Sequence, residues 1–369
     1  MSDFLRPLIA ALTCLTLAAP VRAGEWTQLD PQDYGDCSLR FDGVIEPGNL
    51  MRAAEQDVLS GFNARICLNS PGGSLGEVLN FLKAANGDTG GFFFGTRVQT
   101  GDECLSSCAI LFMFGQAFGA NSPYPSRQLE PGAKLGFHSP FIRDGANPAA
   151  SDAEVFRVAL QVAKLLADSS YKALTAAGPA LPPELLAIVL GTPSADMRYV
   201  DTIAEAKLMD IELTEDLEYR AVFPDTRASF DQIYRRICIS SHTLTYRQHF
   251  VREGYDFADL VARTADPTYQ SADYVVHVRE RDPATGTGPE RRRALLTGPS
   301  YSVPGWFSAG AQQYCRVDLS VEPAPGGLRV TSYSVDFGAA ISADLTRMPD
   351  WAGEVQVTRG GLLPLDTRY

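Results

Sequence analysis

The chain has 369 residues, 45% of them hydrophobic and 21% charged, the balance of an ordinary globular protein rather than a disordered or membrane-embedded one. Its formal net charge is -12, and no Lys/Arg cluster offers a stripe that would track phosphates, so nucleic acid is not an expected partner. The length predicts two domains at roughly 150 residues per domain.

Residues 1–23 read as an export signal. Arg6 follows a short polar start, Leu8 to Ala19 is an apolar stretch, and Val21-Arg22-Ala23 ends in a small residue before Gly24. Cleavage is expected after Ala23, leaving a periplasmic or secreted chain. The other reading, an uncleaved membrane anchor, calls for a longer apolar span. Cys14 falls inside the removed segment, and Ala11-Leu12-Thr13 before it does not form a lipobox.

Six cysteines remain: Cys37, Cys67, Cys104, Cys108, Cys238 and Cys315. An even number in an exported chain predicts disulfides. Cys238 and Cys315 are the only two beyond Cys108, which makes them natural partners. Cys104 and Cys108 are i,i+4 neighbours, close enough on a helix to be bridged. Cys37 is then left for Cys67, with a Cys67 to Cys104 bridge as the open alternative.

From Phe41 to Asp210, short apolar runs alternate with helical periodicity, the pattern of βαβ units around a mostly parallel sheet. Ala64 to Leu68 is a strand, and Asn69-Ser70-Pro71-Gly72-Gly73 a strand-to-helix turn. Ser74 to Asn86 carries Leu75, Val78, Leu79 and Leu82 on one helical face. Phe92 to Val98 is the next strand, Ser107 to Phe114 a buried helix, and Leu135 to His138 a strand ending in histidine. Asp152 to Ala176 is a long amphipathic helix with Ser151 as N-cap and Gly178 past its end. Thr214 to Arg227 has no clear period and includes Pro224, which suits a linker. Beyond Ser229, alternating runs such as Tyr274 to Val278 and Leu328 to Val335 read as antiparallel strands, the second preceded by the turn Pro325-Gly326-Gly327.

A hydrolase that attacks with serine needs a nucleophile, a base, and backbone donors for the developing oxyanion. Gly72-Gly73 opens a helix with no Cβ to obstruct a substrate carbonyl. The ordinary reading is a turn that requires positive φ. Ser106, in Glu103-Cys104-Leu105-Ser106-Ser107-Cys108, stands at the start of an apolar helix, where the Ser107 amide offers a second donor. The ordinary reading is an N-cap serine, and the adjacent Ser107 leaves the choice between the two open. His138 is the only histidine before residue 240 and is the candidate base; a structural histidine is the alternative.

Taken in order, Asn-Ser-Pro-Gly-Gly, then Cys-x-Ser-x-Cys before an apolar helix, then Gly-Phe-His-Ser-Pro, the series resembles the Clp-type serine peptidases of the Clp/crotonase fold. It is most similar to secreted, periplasmic relatives with cysteines flanking the serine. The resemblance covers residues 39 to about 212, under half the chain. It implies an α/β fold, a Clp/crotonase-like ββα-superhelix, over residues 36–215. A linker over 216–228 and a smaller β-rich α+β domain over 229–369 follow from the composition. It also implies Ser106 as nucleophile, His138 as general base, and the turn glycines Gly72 and Gly73 with the Ser107 amide as oxyanion donors. In the family an acidic residue precedes a segment resembling Ala-Glu-Ala-x-x-x-Gly-Leu-Val-Asp. Here that points to Asp196, with Asp201 as the alternative, and Lys207 departs from the pattern near the usual glycine.

The function expected is an exported serine hydrolase of the peptidase kind acting on a peptide or protein substrate, without cofactor or metal, in a chain that can form a homo-oligomer. The alternative from another class is a non-catalytic periplasmic peptide-binding or scaffold protein that keeps the fold. Gly72-Gly73-Ser74-Leu75-Gly76 also matches Gly-x-Ser-x-Gly, which would make Ser74 the nucleophile of an α/β-hydrolase elbow, but that fold takes its residues in the order serine, acid, histidine. Cys104, Cys108 and His138 make a weak zinc set. A Ser/Lys dyad finds none of Lys83, Lys134, Lys164, Lys172 or Lys207 in a matching motif. Acyl-CoA chemistry shares the fold, yet CoA is not expected outside the cytoplasm. His242, His249 and His277 have no ligand spacing, and Tyr301, Trp306 and Phe307 read as core residues.

Overall fold

The computed structural model describes residues 23–31, 36–52, 64–85, 92–119, 122–141, 152–172, 179–214, 221–252, 254–265, 274–280, 290–297 and 312–340. Nearly all of the expected export signal, the expected cap Ser151, Gly178 and the aromatics Tyr301, Trp306 and Phe307 lie outside them.

The first sheet runs in the order β1 (Glu25–Gln28), β2 (Leu39–Asp42), β3 (Ala64–Asn69), β4 (Phe94–Val98), β8 (Arg127–Leu129) and β11 (Glu212–Leu213). Only the β1–β2 pair is antiparallel; the other four pairs are parallel. Parallel strands are covered on both faces and so read as continuous apolar runs. β3 is such a case, with Ile66, Cys67 and Leu68 all fully buried. Helix α1 (Leu75–Ala85) follows β3 and turns Val78, Phe81 and Leu82 into the core, where Phe81 meets Phe92 and Phe94 edge-on.

A second sheet has the order β10 (Arg198–Tyr199), β9 (Lys134–Phe137) and β5 (Glu103–Leu105), with β5 parallel to β9 and β10 antiparallel to it. Helix α2 (Ser107–Met113) leaves β5, and all seven of its residues are buried. A helix apolar on every side has no solvent face to show, which is why Ala109 to Phe114 has no periodicity. β6 (Gln116–Phe118) and β7 (Pro123–Pro125) form a small antiparallel pair beyond it.

Helices α3 (Asp152–Lys172), α4 (Pro183–Gly191) and α5 (Ile203–Leu208) complete this half. Arg127, fully buried on β8, donates from Nη1 to the carbonyls of Ala180 and Met209. Burial lowers its pKa to about 10, opposed by Asp210 and reinforced by Arg247.

The expected linker carries the short strand β12 (Val222–Phe223), and a helix that periodicity did not announce, α6 (Arg227–Thr245), opens at its end. Thr226 is the N-cap, its side chain accepting from Ser229 N. Then come α7 (Arg247–Arg252) and α8 (Phe257–Ala265), followed by an antiparallel sheet in the order β12, β16 (Gly327–Ala340), β15 (Gln312–Ala324), β14 (Glu290–Thr297) and β13 (Tyr274–Glu280). The expected strands at Tyr274 and Leu328 are β13 and β16. Ile233, Ile237 and Cys238 of α6 pack against Cys315, Val317 and Leu319 of β15, a buried cluster separate from the one spanning Leu39 to Ile211. Arg247 joins the two halves: it donates to the Leu208 carbonyl and pairs with Asp210 at 2.8 Å.

Candidate active site

The glycine turn is fastened on both sides. Toward β5, Ser70 N donates to the Glu103 carbonyl and Leu105 N to the Ser70 carbonyl, while Glu103 N reaches the Asn69 side chain. Toward the start of the chain, Ile45 N donates to the Gly72 carbonyl and Ser74 N to the Ile45 carbonyl. That parallel bridge uses the carbonyl before Gly73 and the amide after it, so the N–H of Gly73 faces away from Ile45. Gly73 itself is exposed. Both glycines have positive φ, 95° and 146°, and a Cβ on Gly73 would fall 2.1 Å from the Ile45 carbonyl oxygen.

The segment around Ile45 has its own anchor, which sequence reasoning missed. Glu77, buried on α1, accepts from the amides of Gly48, Leu50 and Met51. A carboxylate on an amphipathic helix normally signals a solvated position, so only the tertiary structure reveals this role. The Ser74 hydroxyl accepts from Glu77 N, the ordinary job of a serine opening a helix.

Ser106 is the residue between β5 and α2. Its backbone is at φ 58°, ψ -123°, a conformation that non-glycine residues rarely adopt, and its amide donates to the Gly136 carbonyl of β9 at 2.9 Å. Although it is the N-cap of α2, its hydroxyl makes no capping hydrogen bond. Ser106 is half-buried, whereas Ser107 is buried and its Oγ is enclosed. A Cβ on Gly72 would stand 2.8 Å from the Ser106 Cβ and 3.2 Å from Ser107 N. The glycine turn, Ser106 and the Ser107 amide therefore meet at one point.

Upstream of β5, Arg40 binds Asp102 with two hydrogen bonds of 2.8 and 2.9 Å and also reaches Asp42 and Gln99. Those bonds to Asp102 raise the Arg40 pKa above its ordinary value against the opposing effect of burial.

His138 is the first residue after β9, the strand paired with β5 in parallel register, Leu105 opposite Gly136. Ser106 and His138 thus leave the same end of adjoining strands, which lie about 4.8 Å apart. The ring is half-buried, sits 5.7 Å from the ring of exposed Phe141, and has Nδ1 2.8 Å from the Ser139 carbonyl. A carbonyl only accepts, so in the neutral ring Nδ1 carries the proton and Nε2 the lone pair.

Asp196 lies in the turn after α4. It is exposed, its amide donates to the Pro193 carbonyl, and among the described residues its carboxylate makes no hydrogen bond to His138. Asp201 is also exposed, with its amide bound to Glu205. Ser139 N donates to the Thr192 carbonyl, which ties the histidine segment to the start of the Asp196 turn.

Three disulfides are formed: Cys37–Cys67, Cys104–Cys108 and Cys238–Cys315. They suit an oxidising, extracellular environment. Cys104 and Cys108 are therefore not thiolate ligands, and the zinc set with His138 does not exist. Among the described residues no group of His, Cys, Asp or Glu is arranged to hold a metal, and no helix is long and apolar enough to cross a membrane. His242 is buried among Tyr246, Phe250 and Phe337, consistent with a core histidine.

These elements define a mixed α/β protein with a serine on a strained strand-to-helix turn, a glycine turn against it and a histidine at the next strand end. No protein-family model and no curated protein sequence matches the chain.

Proposed function

We propose that the chain is an exported serine hydrolase of the Clp-peptidase-like kind, built on a Clp/crotonase-like fold and cleaving a peptide or protein substrate through an acyl-enzyme. The observation that carries this reading is the contact of Gly72 with Ser106 and the Ser107 amide. A turn held that tightly against a serine with an uncapped hydroxyl is what acyl transfer requires and what a simple helix start does not.

In this mechanism His138 Nε2 takes the Ser106 proton as Oγ attacks the substrate carbonyl carbon. The carbonyl electron pair moves to oxygen, which the amides of Gly73 and Ser107 receive. The leaving amine takes the proton from Nε2, and water, activated by the same nitrogen, then releases the acyl group from Ser106. The Ser139 carbonyl keeps the imidazole in the required tautomer, and Asp196 is the candidate carboxylate to support it when the ring is charged. No cofactor or metal enters these steps. The expected signal over residues 1–23 and the disulfides support a periplasmic or secreted location.

The second reading, a non-catalytic peptide-binding or scaffold protein, is favoured by one observation: among the described residues the His138 ring meets a backbone carbonyl and not a carboxylate. Fluorophosphonate labelling of the purified chain, with peptide mapping, separates the two. An adduct on Ser106 that disappears in Ser106→Ala, with folding retained, is the expected result. A folded wild-type chain that takes no label overturns the hydrolase.

A further inference from the structure

We infer that the Cys104–Cys108 disulfide is a brace that holds Ser106 in its reactive conformation, so that hydrolysis depends on this bridge; the inference rests on the serine hydrolase reading. Cys104 is fixed in the second sheet, opposite Leu135 and bridged to Ser70, and Cys108 lies in the first turn of α2. Both are fully buried, and the only residues between them are Leu105, Ser106 and Ser107. The bridge thus closes a covalent ring across the one residue of this turn with an unfavourable backbone, Ser106 at φ 58°.

The helix start shows what the brace prevents. An N-cap serine ordinarily adopts an extended backbone and turns its hydroxyl onto the amide two or three residues on. For α2 those amides belong to Cys108 and Ala109. Ser106 does neither: its backbone is left-handed and its hydroxyl makes no cap. The disulfide ties the strand end to the helix start in place of that hydrogen bond, and the hydroxyl stays available. Without the bridge, Ser106 relaxes to the ordinary cap and Oγ is consumed by the helix it opens. Cys104 and Cys108 are therefore positioning residues, distinct from the other two bridges, whose cysteines stand 30 and 77 residues apart in sequence.

Trypsin releases both cysteines and Ser106 on one peptide, since no Lys or Arg occurs between Val98 and Ser126. The native protein is partly reduced with a phosphine, labelled with fluorophosphonate, then denatured, alkylated and digested. The adduct is expected on peptides whose cysteines escaped alkylation, enriched at least roughly tenfold over alkylated ones. Equal adduct on both forms overturns the brace. The double variant Cys104→Ala/Cys108→Ala covers the case in which the buried bridge resists reduction: its labelling rate is expected to fall at least roughly tenfold with far-UV circular dichroism unchanged, and a wild-type rate overturns the inference.

A thermal cycle reads the same claim without activity. Glycine accepts positive φ, so Ser106→Gly is expected to raise Tm in the bridged chain and to lower it slightly in the double-alanine background, where the relaxed serine caps α2 and glycine removes that cap. An equal rise in both overturns the brace. A folded chain that takes no label in any state removes the hydrolase reading, and this inference with it, whereas label without dependence on the bridge removes the inference alone.

Discussion

Gly72 stands against Ser106 with no room for a side chain between them: a Cβ on Gly72 would lie 2.8 Å from the Ser106 Cβ and 2.6 Å from the Leu105 carbonyl oxygen. The backbone atoms it would strike belong to the end of β5, which is paired on both sides and cannot give way cheaply. Gly72→Ala also forces a side chain onto φ 95°. The variant is expected to lose about 1–3 kcal/mol of stability by urea denaturation. Its rate of Ser106 labelling is expected to drop by roughly 100-fold, the loss of one oxyanion donor's geometry.

His138 Nδ1 is already held by the Ser139 carbonyl, and Asp196 is exposed. Asp196→Asn is therefore expected to reduce kcat/KM on a peptide ester by less than about tenfold, and His138→Gln by roughly 100-fold or more. A loss for Asp196→Asn as large as that for His138→Gln would assign the orienting role to the carboxylate instead.

Glu77 gives its two oxygens to three backbone amides, and that of Leu50 is buried. Removing an acceptor leaves those donors unmet, a larger loss than the hydrogen bonds themselves were worth against water. Glu77→Ala is expected to cost about 3 kcal/mol in a denaturant titration. Because Ile45 ties this segment to Gly72 and Ser74, the residual folded protein is expected to label more slowly at Ser106.

Glu130 contributes a pH dependence. Burial pushes its carboxyl up, but the Thr100 amide and hydroxyl and the Arg97 guanidinium outweigh it, and the pKa falls below its ordinary 4.5. A carboxyl depressed on folding stabilises the native state above its unfolded pKa, and that contribution disappears as pH falls through the folded value. Tm of wild type and Glu130→Gln, measured from neutral pH downward, is expected to differ most above pH 4.5 and to converge at the acid end.

The elements around the site could be read from the sequence because each obeys a local rule. The apolar run Ala64 to Leu68, the Pro-Gly-Gly turn and the one-sided periodicity of Leu75, Val78 and Leu82 are β3, the glycine turn and α1. Helix α6 was not readable: its buried face includes Ser240, Ser241, His242 and Thr243, polar residues that break the apolar period. Their burial is supported by contacts far along the chain, such as Arg263 Nε on Thr243 Oγ1 and the ring of Phe337 on His242. Ser106 and Ser107 suit a helix start equally well by type and position, and only their burial, half-buried against buried, tells them apart.

Residue types, their order and the even set of cysteines were enough to specify a disulfide-bonded α/β chain with a serine, a histidine and a glycine turn as its reactive candidates. Tertiary structure alone decided that Gly72 touches Ser106, that Nδ1 of His138 faces a carbonyl, and that Glu77 secures the turn. Propensity and periodicity act over a few neighbouring residues, whereas these contacts join segments tens of residues apart, whose distances are set only when the strands pair and the core closes.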